Sequence, residues 1–566
     1  MKQGDSRSIP LRRLTALILS VIFSAVPLFI KPAYYMTGDD YLLNYIANGS
    51  YGTGGSSHLV FIRVLYGAVL KVLYSLTASV NWYLVLLVLL LIISFFIFYS
   101  EILMTAPSGL YLLPAVLVHA LIIPHFLSFT VTAFLCGGAG AVLWTRALRL
   151  KKFRLRLLTA LTGSFLLLIC RCLRKDSFLP CLAVMSPLLL HAFVTAVRQS
   201  AGKKEVKESL LLVIAGFAVL FAAVTASEQA ERYAYSDTDW HTFRSYTFAR
   251  SAVVDFPPVS YKKNREAFEK AGLTELDYDL LRGWKYAEKN LFSEETLREV
   301  SRISSGAVTV SSRISYAKRT CPLPYLLFFL LPLLLLTALA AANRPWPLGF
   351  GILQVLVCAG LEVFLLFFRM RFVIRVAGPL TMLTLICLVL LTDSSGHPRH
   401  RPAACVCFVL FLTAGAGFMT YYAEETRVPR ISPDEWPKSQ IVSAMETHKD
   451  TLYILDGSIL NVLFYNGTPV TEVLTTDRFS NIMRAGSWDS FSPRYYAQAG
   501  RFVSDPENLL TSFARDPGTV FVGTEADLIT AFLEEQTGAL FVAGKETFPE
   551  LQTCFFRFYP YEAPGS

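Results

Sequence analysis

Apolar residues along this chain fall in long, nearly unbroken runs, such as 82–100 and 324–342, and not at the two-residue or 3.6-residue spacing of half-buried elements. Such runs match the ~20 residues needed to cross a hydrocarbon core, where a backbone deprived of water satisfies itself by forming helix. This reading predicts about eleven spans, over 14–30, 82–100, 109–124, 126–145, 157–173, 178–196, 209–226, 322–342, 347–368, 376–392 and 403–422. The segment 58–76 is also apolar but carries Arg63 and Lys71, and it is read as an interfacial helix whose cations reach the headgroups.

Two stretches break the pattern. Residues 227–321 mix both charge signs with aromatics and show helical spacing at 261–271 and 293–304. Residues 423–566 alternate β-type runs (451–455, 519–522, 539–542, 554–559) with helical ones such as 526–536. The expected fold class is an α-helical polytopic membrane protein with a C-terminal α/β domain. Its parts are a membrane region over 1–226 with a loop at 31–81, a helical loop at 227–321, a second membrane region over 322–422, and the α/β domain over 423–566. A fragment from about residue 436 onward is expected to fold alone.

Composition agrees: 53% of the 566 residues are hydrophobic and 17% charged, against about a quarter charged in soluble proteins. The net charge of +9 suggests nucleic acid until its placement is read. Lys2, Arg7, Arg12 and Arg13 precede the first span; Arg146, Arg149, Lys151, Lys152, Arg154 and Arg156 fill one short loop; Arg198, Lys203, Lys204 and Lys207 fill another. Short basic loops mark the cytoplasmic face, so no nucleic-acid partner is expected. The N-terminus is placed inside, as are short loops at 343–344 and 394–401. The stretches 31–81, 227–321 and 423–566 are placed outside. The first span lacks a small-residue cleavage site and precedes many others, unlike a signal peptide. Nine of the ten cysteines lie in or beside spans without metal-ligand spacing, and they are read as small packing residues.

Candidate chemistry gathers at the outer ends of the spans. Asp39 and Asp40 follow the first span; paired acids there suit a general base or a divalent-metal site, or one of them caps the helix beginning at Tyr41. Arg174, with Lys175 and Asp176, lies in one outer hairpin, and Arg369, Arg371 and Arg375 in another turn. The guanidinium fork suits a lipid phosphate or pyrophosphate, although general headgroup binding or internal pairing would use the same residues. Glu362 is an intramembrane acid seven residues before Arg369, either functional or salt-bridged to it. Asp237-Thr-Asp239 and Asp277-Tyr-Asp279 match a short, common metal pattern and are set aside.

With these features the chain resembles the GT-C class of membrane glycosyltransferases, through its first span, Asp39-Asp40, and the juxtamembrane segments 41–48 and 58–76. It is also similar to a group of multi-pass bacterial membrane proteins, many from Firmicutes, to which little beyond a glycosyltransferase-like fold is assigned. That similarity rests on Gly-Asp-Asp-Tyr, on 239–250 with 254–257, and on 369–376. The resemblance implies a polyprenyl-phosphate sugar donor, an envelope glycan or lipid acceptor, and a place in the bacterial cell membrane. It further implies catalysis by Asp39, alone or with Asp40 and with or without a divalent metal. Arg174, Arg369, Arg371 and Arg375 would hold the lipid phosphate, and the α/β domain would orient the acceptor. A lipid-linked-saccharide transporter or polymerase, or a non-catalytic envelope scaffold, would show many of the same features.

Overall fold

The computed structural model describes the chain apart from residues 1–7, 106–108, 200–202, 321–322, 343–347, 392–408, 412, 416, 418–437, 461–467, 546–554 and 562–566. The protein is largely helical. Among the described residues, seven helices are long and apolar enough to cross a membrane: Ile9–Ile30, Trp82–Thr105, Phe129–Arg149, Phe153–Leu173, Lys175–Gln199, Leu210–Ala234 and Leu348–Phe368. Three further expected spans coincide with shorter apolar helices, Leu113–Phe126, Phe328–Ala340 and Ile374–Leu390. The span expected over 403–422 and the loops at 343–344 and 394–401 lie wholly or mostly outside the described residues.

Phe129–Arg149 is the bundle's centre, buried along almost its whole length. Small residues permit this. A methyl on Gly140 would meet the Gly163 carbonyl oxygen at 2.5 Å, and one on Gly163 would meet that of Gly140 at 2.6 Å, so the two helices touch backbone to backbone. Cys136, Cys170 and Cys181 are buried free thiols within this packing, as small apolar fillers would be.

Polar groups mark the two ends of the bundle. At the C-terminal end of Phe129–Arg149, Arg149 and Arg146 approach Glu101 at 3.1 and 3.9 Å, and Arg12 donates to the Leu103 carbonyl. At its N-terminal end the Phe129 amide donates to Asp40. Near that end Arg63 donates its backbone N–H to the Cys172 carbonyl and pairs with Glu228 and Glu231, and Arg171 also pairs with Glu228. The basic loops and the Asp39–Asp40 loop thus occupy opposite ends of the bundle.

The polar stretches form one head. Its sheet contains β1 (Leu452–Leu455), β2 (Ile482–Arg484), β3 (Thr519–Val522), β4 (Phe541–Lys545) and β5 (Phe555–Pro560), ordered β2-β1-β3-β5-β4. The first three strands are parallel, with Tyr453 opposite Ile482 and Val520; β5 joins β3 and β4 antiparallel. Tyr246, Phe268, Tyr286 and Phe292 from the 227–321 stretch share a single core with Leu452, Ile454, Phe491, Leu509 and Phe521. Ala287 donates to the Ala485 carbonyl and accepts from the Leu509 amide, so the backbone itself bridges the two stretches. The loop after the first helix is bound to this head as well: Val470 donates to the Ala33 carbonyl (2.8 Å), Phe479 to that of Ser50 (2.7 Å), and the Tyr41 hydroxyl to that of Thr468 (2.7 Å).

Candidate functional site

Thr37 lies in extended backbone before the helix Gly38–Asn48, and Gly38, Asp39 and Asp40 open its first turn, where the exposed N–H groups favour carboxylates. Neither acid caps this helix, contrary to one expectation. Thr37 holds the cap position, and its hydroxyl donates to Asp40 Oδ2 at 2.9 Å. A helix turns about 100° per residue, and this separates the adjacent acids.

Asp40 turns inward and is fully buried. Its Oδ1 accepts from the Phe129 amide (2.8 Å) and the Tyr83 hydroxyl (2.9 Å), pinning the loop helix to the start of Phe129–Arg149. Burial pushes this carboxyl up to about 7, against the hydrogen bonds from Phe129, Thr37 and Tyr83 that favour the anion. Asp39 turns towards the head. Its Oδ2 accepts from Arg375 at 2.7 Å and its Oδ1 from the Trp488 indole N–H at 3.1 Å. The two carboxylates are therefore committed to different partners and do not form the shared divalent-metal site considered from sequence. Among the described residues, no group of three or more His, Cys, Asp or Glu converges as a metal-ligand set.

Asp39 lines a cavity of about 520 Å³ between bundle and head, within the usual range for a bound ligand. The bundle and its loops contribute Asp39, Phe61, Arg174, Arg371 and Arg375; the head contributes Arg250, Asp255, Arg282, Trp284, Arg484 and Trp488. Six arginines thus face two acids. A second cavity, of about 510 Å³, shares Phe61, Arg174, Arg250, Asp255 and Arg371 with the first and adds Arg63, Lys175, Asp176 and Arg244.

The arginines are held by stacking and pairing. The Arg174 guanidinium lies over Phe61 (4.9 Å) and Phe129 (5.4 Å), with Asp176 at 3.8 Å. Burial holds it below the usual arginine range, opposed by Asp176 and reinforced by neighbouring Arg375. Arg371 pairs with Asp255 at 3.1 Å. Arg250 is 2% exposed; it reaches the Tyr286 hydroxyl at 3.4 Å and Asp255 at 3.9 Å, and its buried Nε has no hydrogen-bond partner among the described residues.

Backbone strain concentrates here too. Of five non-glycine residues at positive φ among those described, Trp284 (58°) lines the cavity, Val60 (51°) precedes Phe61, and Met370 (45°) precedes Arg371. Such conformations cost about 1–3 kcal/mol each and cluster where a site requires them. For a β-branched valine the outlier is pronounced.

Of the residues singled out from sequence, Asp39, Arg174, Arg371 and Arg375 converge on the cavity, and Lys175 and Asp176 line its neighbour. Arg369 does not join them. It is exposed, stacked over Phe256, and lines neither cavity. Glu362 accepts from the Thr381 hydroxyl at 2.8 Å and the Cys358 thiol at 3.4 Å inside the bundle, and a bridge to Arg369 is not among its contacts. Asp237 and Asp277 serve as helix-terminal groups: Asp237 accepts from the Asp239 amide, and Asp277 completes a capping box with Thr274.

Sequence reasoning missed Arg250, Asp255, Arg282, Trp284, Arg484 and Trp488. Arg250 and Asp255 fall within the 239–250 and 254–257 stretches that carry the resemblance, and that signal could have found them. Arg484 and Trp488 stand in no recognisable motif. No protein-family model matches this chain, and no curated protein or solved structure matches it.

Proposed function

We propose that this protein transfers a sugar from a polyprenyl-phosphate-linked donor to an envelope acceptor at the outer face of a bacterial cell membrane. It would do so on a GT-C-like bundle of about eleven spans. The observation that carries the reading is Asp39, the bundle-side carboxylate in the wall of an arginine-lined cavity at the end of the bundle opposite the basic loops. The positive-inside tendency of the basic loops supports an outside location for that end.

In the proposed reaction the acceptor hydroxyl gives its proton to Asp39 while its oxygen bonds to the anomeric carbon. The bond from that carbon to the phosphate oxygen breaks, and its electron pair leaves with the phosphate. Arg174, Arg371 and Arg375 stabilise the charge gathering there. Arg375 has a second part. In the resting protein it pairs with Asp39, and an arriving phosphate competes for the same guanidinium, which frees the carboxylate oxygen to accept the acceptor hydroxyl's hydrogen bond.

The transporter reading finds less support. A transport route would place charged groups near mid-bundle, whereas among the described residues the ion pairs of the bundle lie at its two ends, and the interior Glu362 is held by the Thr381 hydroxyl and the Cys358 thiol. Sugar transfer from lipid-linked donor in membranes carrying Asp39→Asn tests the proposal. A positioned acid–base group contributes about 10²–10⁴-fold in rate, and a loss of that size at normal abundance is expected; full activity would overturn it.

A further inference from the structure

Parallel sheets bind ligands beyond the carboxyl ends of their strands, at the point where chain order reverses. In the head the order β2-β1-β3 places such a reversal at β1, whose neighbours on its two sides both follow it in sequence. The residues just past β1 and β2, Gly457 and Gly486 to Trp488, together with Arg484 at the end of β2, line the cavity that holds Asp39. The sheet therefore faces the site directly, where a domain serving only to hold a remote acceptor would have no need to.

The charges divide evenly between the two walls. Arg174, Arg371 and Arg375 come from the bundle, and Arg250, Arg282 and Arg484 from the head, with one acid on each side, Asp39 and Asp255. One phosphodiester brings a single negative charge, which the bundle arginines can meet alone. Three more arginines on the opposite wall, one of them buried with an unpartnered Nε, exceed that need.

We propose that the carboxyl ends of β1 and β2 complete a second phosphate subsite, so that the ligand is a lipid diphosphate held between head and bundle. This rests on the lipid-phosphate reading above. One phosphate meets Arg174 and Arg371, and the other meets Arg250 and Arg484, displacing the internal partners that these guanidiniums now hold. Arg484 is presented for this by its neighbours: it donates to Ser487 Oγ and to the Tyr51 hydroxyl, both at 2.6 Å.

The test uses the full-length protein purified in detergent, with farnesyl phosphate and farnesyl diphosphate as probes in calorimetric titrations. The expected result is at least a tenfold preference for the diphosphate. Arg484→Lys keeps the charge without the fork and should remove most of that preference while leaving monophosphate affinity unchanged; Arg174→Gln should weaken both probes. Because Arg484 also pairs with Asp489, unaltered monophosphate binding serves as the check that the variant is folded. Equal binding of the two probes to the unmodified protein would overturn the second subsite and leave the lipid-phosphate reading standing, as would a preference untouched by Arg484→Lys. Binding of neither probe would overturn both.

Discussion

Asp39 and Asp40 leave the first turn of Gly38–Asn48 on different sides, and their chemistry follows from where each side leads. Asp40 meets an amide and two hydroxyls in a dry interior, and its raised carboxyl makes it a pH-dependent structural group. In the unfolded chain an aspartate titrates near ~3.9, so between about pH 4 and 7 the folded state binds more protons than the unfolded. The contribution of Asp40 is thus fully present below pH ~4 and is lost as pH rises towards 7. Asn keeps an acceptor for Phe129 and Tyr83 and offers an amide to the Thr37 oxygen. Asp40→Asn should therefore fold, retain activity, and gain stability relative to the unmodified protein as pH increases from 4 to 7. Denaturant unfolding across that range checks this, and a difference independent of pH would contradict the burial account. Asp40→Ala should instead cost about 1–3 kcal/mol for each polar partner left unsatisfied.

At the scale of elements, what was legible in the sequence is what local pattern alone decides. The long apolar runs mark the helices, and four of the five strands fall at or near positions suggested by their β-type runs. The fifth, Ile482–Arg484, is three residues long and exists because Tyr453 and its neighbours supply a partner, which no local pattern can reveal. Arg484 and Trp488 were illegible for the same reason: they meet Tyr51 and Asp39 across more than 400 residues of chain. Arg369 was misplaced because sequence proximity to Arg371 says nothing about the left-handed Met370 between them. Helix contact in the bundle is narrower in tolerance than its composition suggests. Gly140→Ala sets a methyl against the Gly163 carbonyl, and overpacking of this kind typically costs about 1–3 kcal/mol. Thermal unfolding in detergent should show a lowered midpoint, and an unchanged one would mean that the two helices separate freely.

At the scale of the whole molecule, the head is assembled from two stretches lying on either side of the last membrane helices, and the loop at 31–81 is fastened to it. The independent fragment expected from sequence conflicts with this shared core. Segment 436–566 produced alone and the same segment co-expressed with 227–321 should differ, with cooperative unfolding only in the pair. The isolated segment leaves Leu452, Phe491 and Leu509 without their partners. Cooperative unfolding of 436–566 alone would contradict the single-core description. The assembly also explains why the site sits where it does: the helix Gly38–Asn48, the turn holding Arg371 and Arg375, and the sheet reach one place only when head and bundle are joined.

In the proposed reaction Asp39 takes the acceptor proton while the arginines hold the lipid phosphate. Single-turnover kinetics on purified Asp39→Asn, with donor binding measured on the same sample, separates the two roles most directly. The account predicts donor affinity within a few-fold of the unmodified protein and a transfer step slowed by about 10²–10⁴. Transfer at the unmodified rate, or loss confined to donor binding, would contradict it.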